Sequence, residues 1–370
     1  MSPLKKTAWN MDWVLLASAV CLVAFGLTMV LSASGIMAEK FYADKYFFFK
    51  RQLLFAGLGG LGMVALASMP RKLLYQLQYP ALGIALVLVI LTLTPVGTNI
   101  NGASRWISFG FFAVQPMEFA KIALVLYLAY FFSAKQELVK TFSKGVIPPF
   151  AVTGLFCLLL LKQPDFGAAA MMAMLLFFMC LVGGTRLIYL VASAVLAGGA
   201  GWLLIMRSSY RSRRMLAFLD PFKDAQDTGY QLVQSLFAMG SGGIAGQGLG
   251  ASKQKLFFLP EPHNDFIMAV VGEELGFVGV SLFFIIMGVF LWRAYRVAYK
   301  QEDLRDRLTA FGLALILTLG AVFNLAVVMG AAPPKGVAMP FMSYGGSSLL
   351  ATFACVGLLL NFSRTSEGTA

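Results

Sequence analysis

The sequence predicts an all-α polytopic membrane protein with about ten transmembrane helices, both termini cytoplasmic and one large extracytoplasmic loop. Three observations carry this. Of 370 residues, 59% are hydrophobic and only 12% charged, where soluble domains carry about 25% charged residues. Mean hydropathy is +0.78. The apolar residues gather into ten runs close to the ~20 residues that cross a bilayer, with Lys and Arg scattered through the short segments between them.

In chain order the runs cover 13–34, 52–69, 74–95, 116–133, 147–161, 166–184, 187–206, 266–292, 308–330 and 346–362. The first exceeds the ~7–15-residue core of a signal peptide and lacks a small-residue cleavage site, so it is expected to stay as a helix. The fourth opens at Pro116, a favoured residue at a helix start because its missing N–H would be unpaired there anyway. The fifth is short. The sixth and seventh are divided only around Gly183, Gly184, Thr185 and Arg186. With the N-terminus inside, the inner segments hold fourteen Lys and Arg and the short outer loops seven, the bias that membrane topology follows. Segment 207–265 then lies outside although it opens with Arg207, Arg211, Arg213 and Arg214; long loops obey the rule weakly. No internal repeat or low-complexity tract interrupts residues 1–370, which read as a single integral membrane domain.

Composition excludes several classes. The net charge of +12 is spread as topology signals, so nucleic-acid binding is not expected. Cys21, Cys157, Cys180 and Cys355 lie far apart in apolar runs with no metal-ligand spacing. A single histidine, His263, excludes a multi-His metal site.

Polar residues in or beside membrane helices mark functional candidates, because a charge in hydrocarbon costs several kcal/mol. The first cluster joins Arg105 to Gln115-Pro116-Met117-Glu118-Phe119-Ala120-Lys121. Glu118 and Lys121, three apart, share a helix face; they form either a structural ion pair or the wall of a hydrophilic cavity with Arg105 at its rim. The second is Gln163-Pro164-Asp165-Phe166-Gly167, which alone reads as an ordinary outer turn. The third is the long segment. An amphipathic stretch at 229–237 could lie on the membrane or pack on the bundle. Gly240 to Gly250 is glycine-rich without being a dinucleotide fingerprint or a Walker loop; it offers flexibility or backbone N–H groups for an anion. The segment ends at Asp265, at the outer mouth of a helix, where desolvation raises a carboxyl pKa. Asp265 is then either a helix N-cap or a general base.

Taken together, GASRWI (102–107), QPMEFAKIA (115–123), QPDFG (163–167), YRSRR (210–214), FLDP (218–221), GYQLVQS (229–235), GQGLG (246–250), KLFFLPEPHNDFI (255–267), GEELG (272–276) and MPFMSYGGSSL (339–349) resemble the SEDS family of bacterial shape, elongation, division and sporulation proteins. The resemblance runs in order over nearly the whole chain. The stretch 248–255, and Pro333-Pro334-Lys335-Gly336 ahead of Ser343-Tyr344-Gly345-Gly346, resemble its division branch rather than its elongation branch. Asn264 stands where the family often has threonine, and Pro262 is also a departure.

The resemblance implies a peptidoglycan glycosyltransferase in the bacterial cytoplasmic membrane, at the division septum. It would polymerise lipid II, the undecaprenyl-diphosphate-linked disaccharide pentapeptide, on the outer face. Implied partners are a class B penicillin-binding protein transpeptidase and other divisome membrane proteins. Asp265 matches the family's essential acid, while Arg51, Arg105, Glu118, Lys121 and Asp165 match polar positions around its central cavity. His263, Lys335, Arg211, Arg213 and Arg214 complete the expected substrate-binding set. No cofactor is evident; a divalent cation could help neutralise the diphosphate. Two other readings fit many spans: a lipid II flippase, or a scaffold that only activates a transpeptidase. Against the flippase, the polar residues cluster on the outer side and no repeated halves with broken helices are visible.

Overall fold

The computed structural model describes residues 11–100, 103–110, 112–207, 209–227, 229–256, 258–333 and 336–364. The chain is a polytopic helical membrane protein. Its long helices are α1 (Trp13–Tyr42), α2 (Phe47–Ser68), α5 (Pro116–Ala134), α6 (Ile147–Lys162), α7 (Phe166–Gly183), α8 (Leu187–Met206), α11 (Ile267–Tyr299), α12 (Leu304–Val328) and α13 (Gly346–Ser363). Among the described residues these nine, with α6 extended back to Phe142, are long and apolar enough to cross a membrane.

The remaining expected span, 74–95, forms instead a short α3 (Arg71–Gln76) and a 14-residue α4 (Gln78–Leu91). At 1.5 Å per residue α4 is about 21 Å long, well short of the ~30 Å hydrocarbon core. A wider departure follows it: β1 (Gly97–Ile100), β2 (Ala103–Ser108) and β3 (Ala113–Val114) make an antiparallel sheet in the order β1-β2-β3. Thr98, Trp106, Ile107 and Val114 suit a pleated surface, and the register slips between Thr98 and Asn99. The long segment is not a plain loop either. It carries α9 (Ser209–Leu219) and α10 (Tyr230–Ser241). The amphipathic α10 packs on the bundle, burying Leu232, Val233 and Ala238, with the Ser235 hydroxyl donating to Val328 O at 2.8 Å.

Helix starts are set by local chemistry. Asp12 caps α1 by accepting from Leu15 N at 3.0 Å, Asp165 caps α7 through Ala168 N at 3.0 Å, and Asp303 caps α12 through Arg305 N and Asp306 N; each satisfies amides that a helix start leaves unpaired. Pro116 opens α5. That helix is the centre of the bundle, in contact with α4, α7, α12 and α13, with Leu124, Leu128 and Phe132 fully buried. By contrast α8 exposes Leu187, Val195, Leu196 and Leu203, apolar surface suited to lipid.

α11 is broken at Gly276, whose φ of 62° and ψ of −161° lie outside the helical region. The freed backbone pairs with the glycine-rich stretch: Gln247 N and Gly248 N donate to the carbonyls of Glu273 and Glu274, and Phe277 N and Val278 N to those of Gly243 and Ile244. A β-carbon on Gly246 would lie 2.2 Å from Glu274 O. At Gly246 the missing side chain therefore permits close backbone approach. Beside the break, buried Lys255 pairs with Glu274 at 2.8 Å, and Glu273 accepts from the Ser252 hydroxyl and from Lys253 N.

Candidate active site

The starts of α2, α5, α7, α11 and α13 meet at one end of the bundle with the sheet. Four contacts fix this: Gln52 Nε2 to Ser343 O at 3.1 Å, Gln115 N to Ser347 Oγ at 2.9 Å, Arg105 to Pro164 O at 2.8 Å, and Ser343 Oγ to Asn264 O at 2.9 Å. A cavity of about 710 Å³ lies at the opposite end, among Asp12, Arg71, Arg293 and Arg364. There Arg293 pairs with Asp12 at 2.6 Å and Arg71 with Asp306 at 2.9 Å.

Asp265 sits two residues ahead of α11. The cap position belongs to Phe266, and no side chain caps this helix; the capping reading of Asp265 fails. The residue as a whole is half-buried. Burial pushes its pKa up to about 7; Glu261 and Asp165 add to the rise, and Arg105 opposes it. A carboxyl so poised exchanges a proton near neutral pH, which is what a general base must do.

Arg105 reaches this site from β2. Its Nε lies 3.3 Å from Asp165 Oδ2 with no aligned hydrogen bond at that nitrogen, so this contact is one of charge. Asp165 thus caps α7, pairs with Arg105 and repels Asp265, far more than a solvated turn residue does. Arg51 stacks on Phe47 at 4.5 Å and its charge acts on the Tyr344 hydroxyl, whose pKa burial raises. His263 is 3% exposed, its ring 4.3 Å from Phe48 and 5.5 Å from Tyr344. Burial lowers its pKa to about 4, so it is a neutral ring packed between Phe48 and Tyr344 with little surface open to substrate.

Glu118 and Lys121 pair at 2.8 Å, with Lys121 5% exposed, so the two charges form an ion pair on one face of α5. Arg213 is exposed on α9, where it lines a cavity of about 190 Å³ with Asp220 and Lys223. The side chains of Arg211 and Arg214, and all of Lys335, lie outside the described residues.

Known proteins resemble this chain over nearly its whole length. The family model "Cell cycle protein" (FTSW_RODA_SPOVE) matches residues 12–368. The chain belongs to this family. A probable peptidoglycan glycosyltransferase FtsW of Trichlorobacter lovleyi is 45% identical over 95% of this chain and 93% of its own. The stage V sporulation protein E of Bacillus subtilis is 38% identical over 98% and 99%. Among solved structures, a chain of a peptidoglycan synthase complex coordinating polymerization and crosslinking superposes with a TM-score of 0.80 at 32% identity, covering 96% of this chain and 98% of that one. The rod-shape-determining protein RodA of Thermus thermophilus gives 0.73 at 30%, covering 97% and 98%.

Several residues at this candidate site carried little signal in sequence. Gly336 faces the Asp265 carboxylate. Ser343 and Tyr344 bond the carbonyls of Asn264 and His263. Asn324 donates to Asp265 O and Val337 O, both at 2.7 Å. The one available sign of Asn324 was an amide alone in an apolar run, which a membrane helix keeps only for a purpose.

Proposed function

We propose that the protein is a peptidoglycan glycosyltransferase that polymerises lipid II at the outer face of the bacterial cytoplasmic membrane during cell division. The observation that supports this reading most is Asp265, an uncapping carboxyl at a helix mouth with its pKa raised to about 7. Segment 207–265 is assigned to the outside, where the lipid's sugars are, and both termini to the cytosol.

The lipid diphosphate is already a good leaving group, so the protein must supply two things. Asp265 takes the proton of the acceptor sugar's 4-hydroxyl as that oxygen attacks the anomeric carbon of the donor. The bond from this carbon to the diphosphate breaks, and its electron pair leaves with the lipid diphosphate. One such displacement on an α-linked donor gives a β-linkage. Positive charge must meet the departing diphosphate; Arg105 is placed for that task, with Arg51 on the same side. Arg213, exposed on α9, offers positive charge to anionic headgroups; Arg211, Arg214 and Lys335 keep the substrate-binding role that the sequence suggests. Glu118 and Lys121 hold the wall between α5 and the site. A divalent cation would enter as the counter-ion of the diphosphate. A single-span class B penicillin-binding protein is the proposed partner that crosslinks the strands, alongside other division proteins.

Reconstitution tests this directly. Purified protein in liposomes receives labelled lipid II, with and without a transpeptidase, and both glycan chains and lipid translocation are measured. Chains are expected. Translocation without chains would favour the flippase, and stimulation of the transpeptidase alone would favour the scaffold.

A further inference from the structure

We propose that Asn324 is a positioning residue for Asp265, bridging the two backbone segments that flank the carboxylate and holding it against Gly336. The proposal rests on Asp265 being the base.

Three successive carbonyls on the approach to α11 are each taken by a different donor. Tyr344 N bonds His263 O at 2.9 Å, Ser343 Oγ bonds Asn264 O at 2.9 Å, and Asn324 Nδ2 bonds Asp265 O at 2.7 Å. Only the last comes from within a membrane helix, and it grips the base's own peptide. The same nitrogen donates to Val337 O at 2.7 Å, next to Gly336. The amide orientation is fixed, because the opposite one would aim its oxygen at two carbonyls. Asn324 is 1% exposed and its Oδ1 has no partner, so the side chain is retained for what its nitrogen does. Burying such an amide half-satisfied costs free energy, a cost that packing alone would avoid with leucine.

The bridge sets how deep the carboxyl sits. Its charged neighbours are Glu261 on its own segment, Arg105 from β2 and Asp165 at the head of α7; Asn324 adds no charge. Losing the bridge leaves these groups in place and releases the peptide, so the carboxyl regains water and its proton affinity falls.

The test compares Asn324→Leu, similar in size and lacking the donor, with the parent protein in liposomes across pH. Polymerisation kcat is expected to fall about 10- to 100-fold, as small misplacements of a catalytic group do, with KM for lipid II changed less than about threefold. The acid limb of the rate profile moves down by about one pH unit. Asn324→Ser, which keeps one donor, shifts the same way by less and covers the case in which leucine fails to fold. A loss of rate that only follows the loss of folded protein, with the acid limb unmoved, would make Asn324 structural and overturn the proposal, as would parental kinetics. Asp265→Asn is assayed in parallel: if it is active, the base reading falls and takes the proposal with it. If it is inactive while Asn324→Leu behaves as the parent, the proposal alone falls.

Discussion

A β-carbon built on Gly336 would stand 2.8 Å from Asp265 Oδ2. The atom it would meet is the free end of a side chain, which can swing away at little cost. Gly336→Ala is therefore expected to melt within about 1 kcal/mol of the parent yet lose polymerase activity about 10-fold or more, because the displaced carboxylate no longer meets the acceptor hydroxyl. Glycan synthesis measured beside a thermal melt separates the two effects.

The base must be ionised to work. With its pKa near 7, the single-turnover rate at saturating lipid II is expected to reach a plateau above about pH 8. It is expected to be half-maximal near pH 7 and to fall tenfold per pH unit below it. Asp265→Asn removes the limb together with about 10²–10⁴-fold of the rate. A flat profile from pH 5 to 8 would assign proton removal elsewhere.

Stability carries the opposite sign. In the unfolded chain Asp265 ionises near the ordinary carboxyl value of about 3.9, while in the fold it holds its proton up to about 7. Well below pH 3.9 both states are protonated and the carboxyl costs nothing; as pH rises from there to 7 the unfolded chain ionises first and folding loses stability. Asp265→Asn is consequently expected to melt close to the parent at pH 4 and exceed it at pH 8. Melting curves in detergent at the two pH values test this.

Much of this arrangement was readable in the sequence, for physical reasons. Apolar runs report membrane helices because lipid leaves the backbone no other partner, and Asp265 announced itself as an acid where acids are costly. The division of 74–95 into two shorter helices was not legible because hydropathy does not register the helix break between Gln76 and Gln78 or the end at Leu91. The sheet at 97–114 was hidden in a segment too short and too mixed to show a period. Arg105 and Asp165 were found singly, but their pairing joins residues sixty positions apart, and nothing local encodes it. The capping and base readings of Asp265 could be separated only by geometry.

Glu118 and Lys121 neutralise each other inside α5. Removing either partner strands a buried charge, at a cost of about 3–5 kcal/mol, so Glu118→Gln and Lys121→Met are each expected to lose folded protein as well as activity. The double variant should recover most of the stability. If activity stays lost in a stable double variant, the pair also acts on substrate.

The broken helix ties a surface segment to the membrane core in a way that solvent can report. Amides of Gln247, Gly248, Phe277 and Val278 are donors in one ladder across the break at Gly276, so none can open far without its neighbours. Deuterium should enter all four at a common rate, making 243–248 and 273–278 a single cooperative unit of local unfolding whose opening also loosens the nearby Lys255–Glu274 pair.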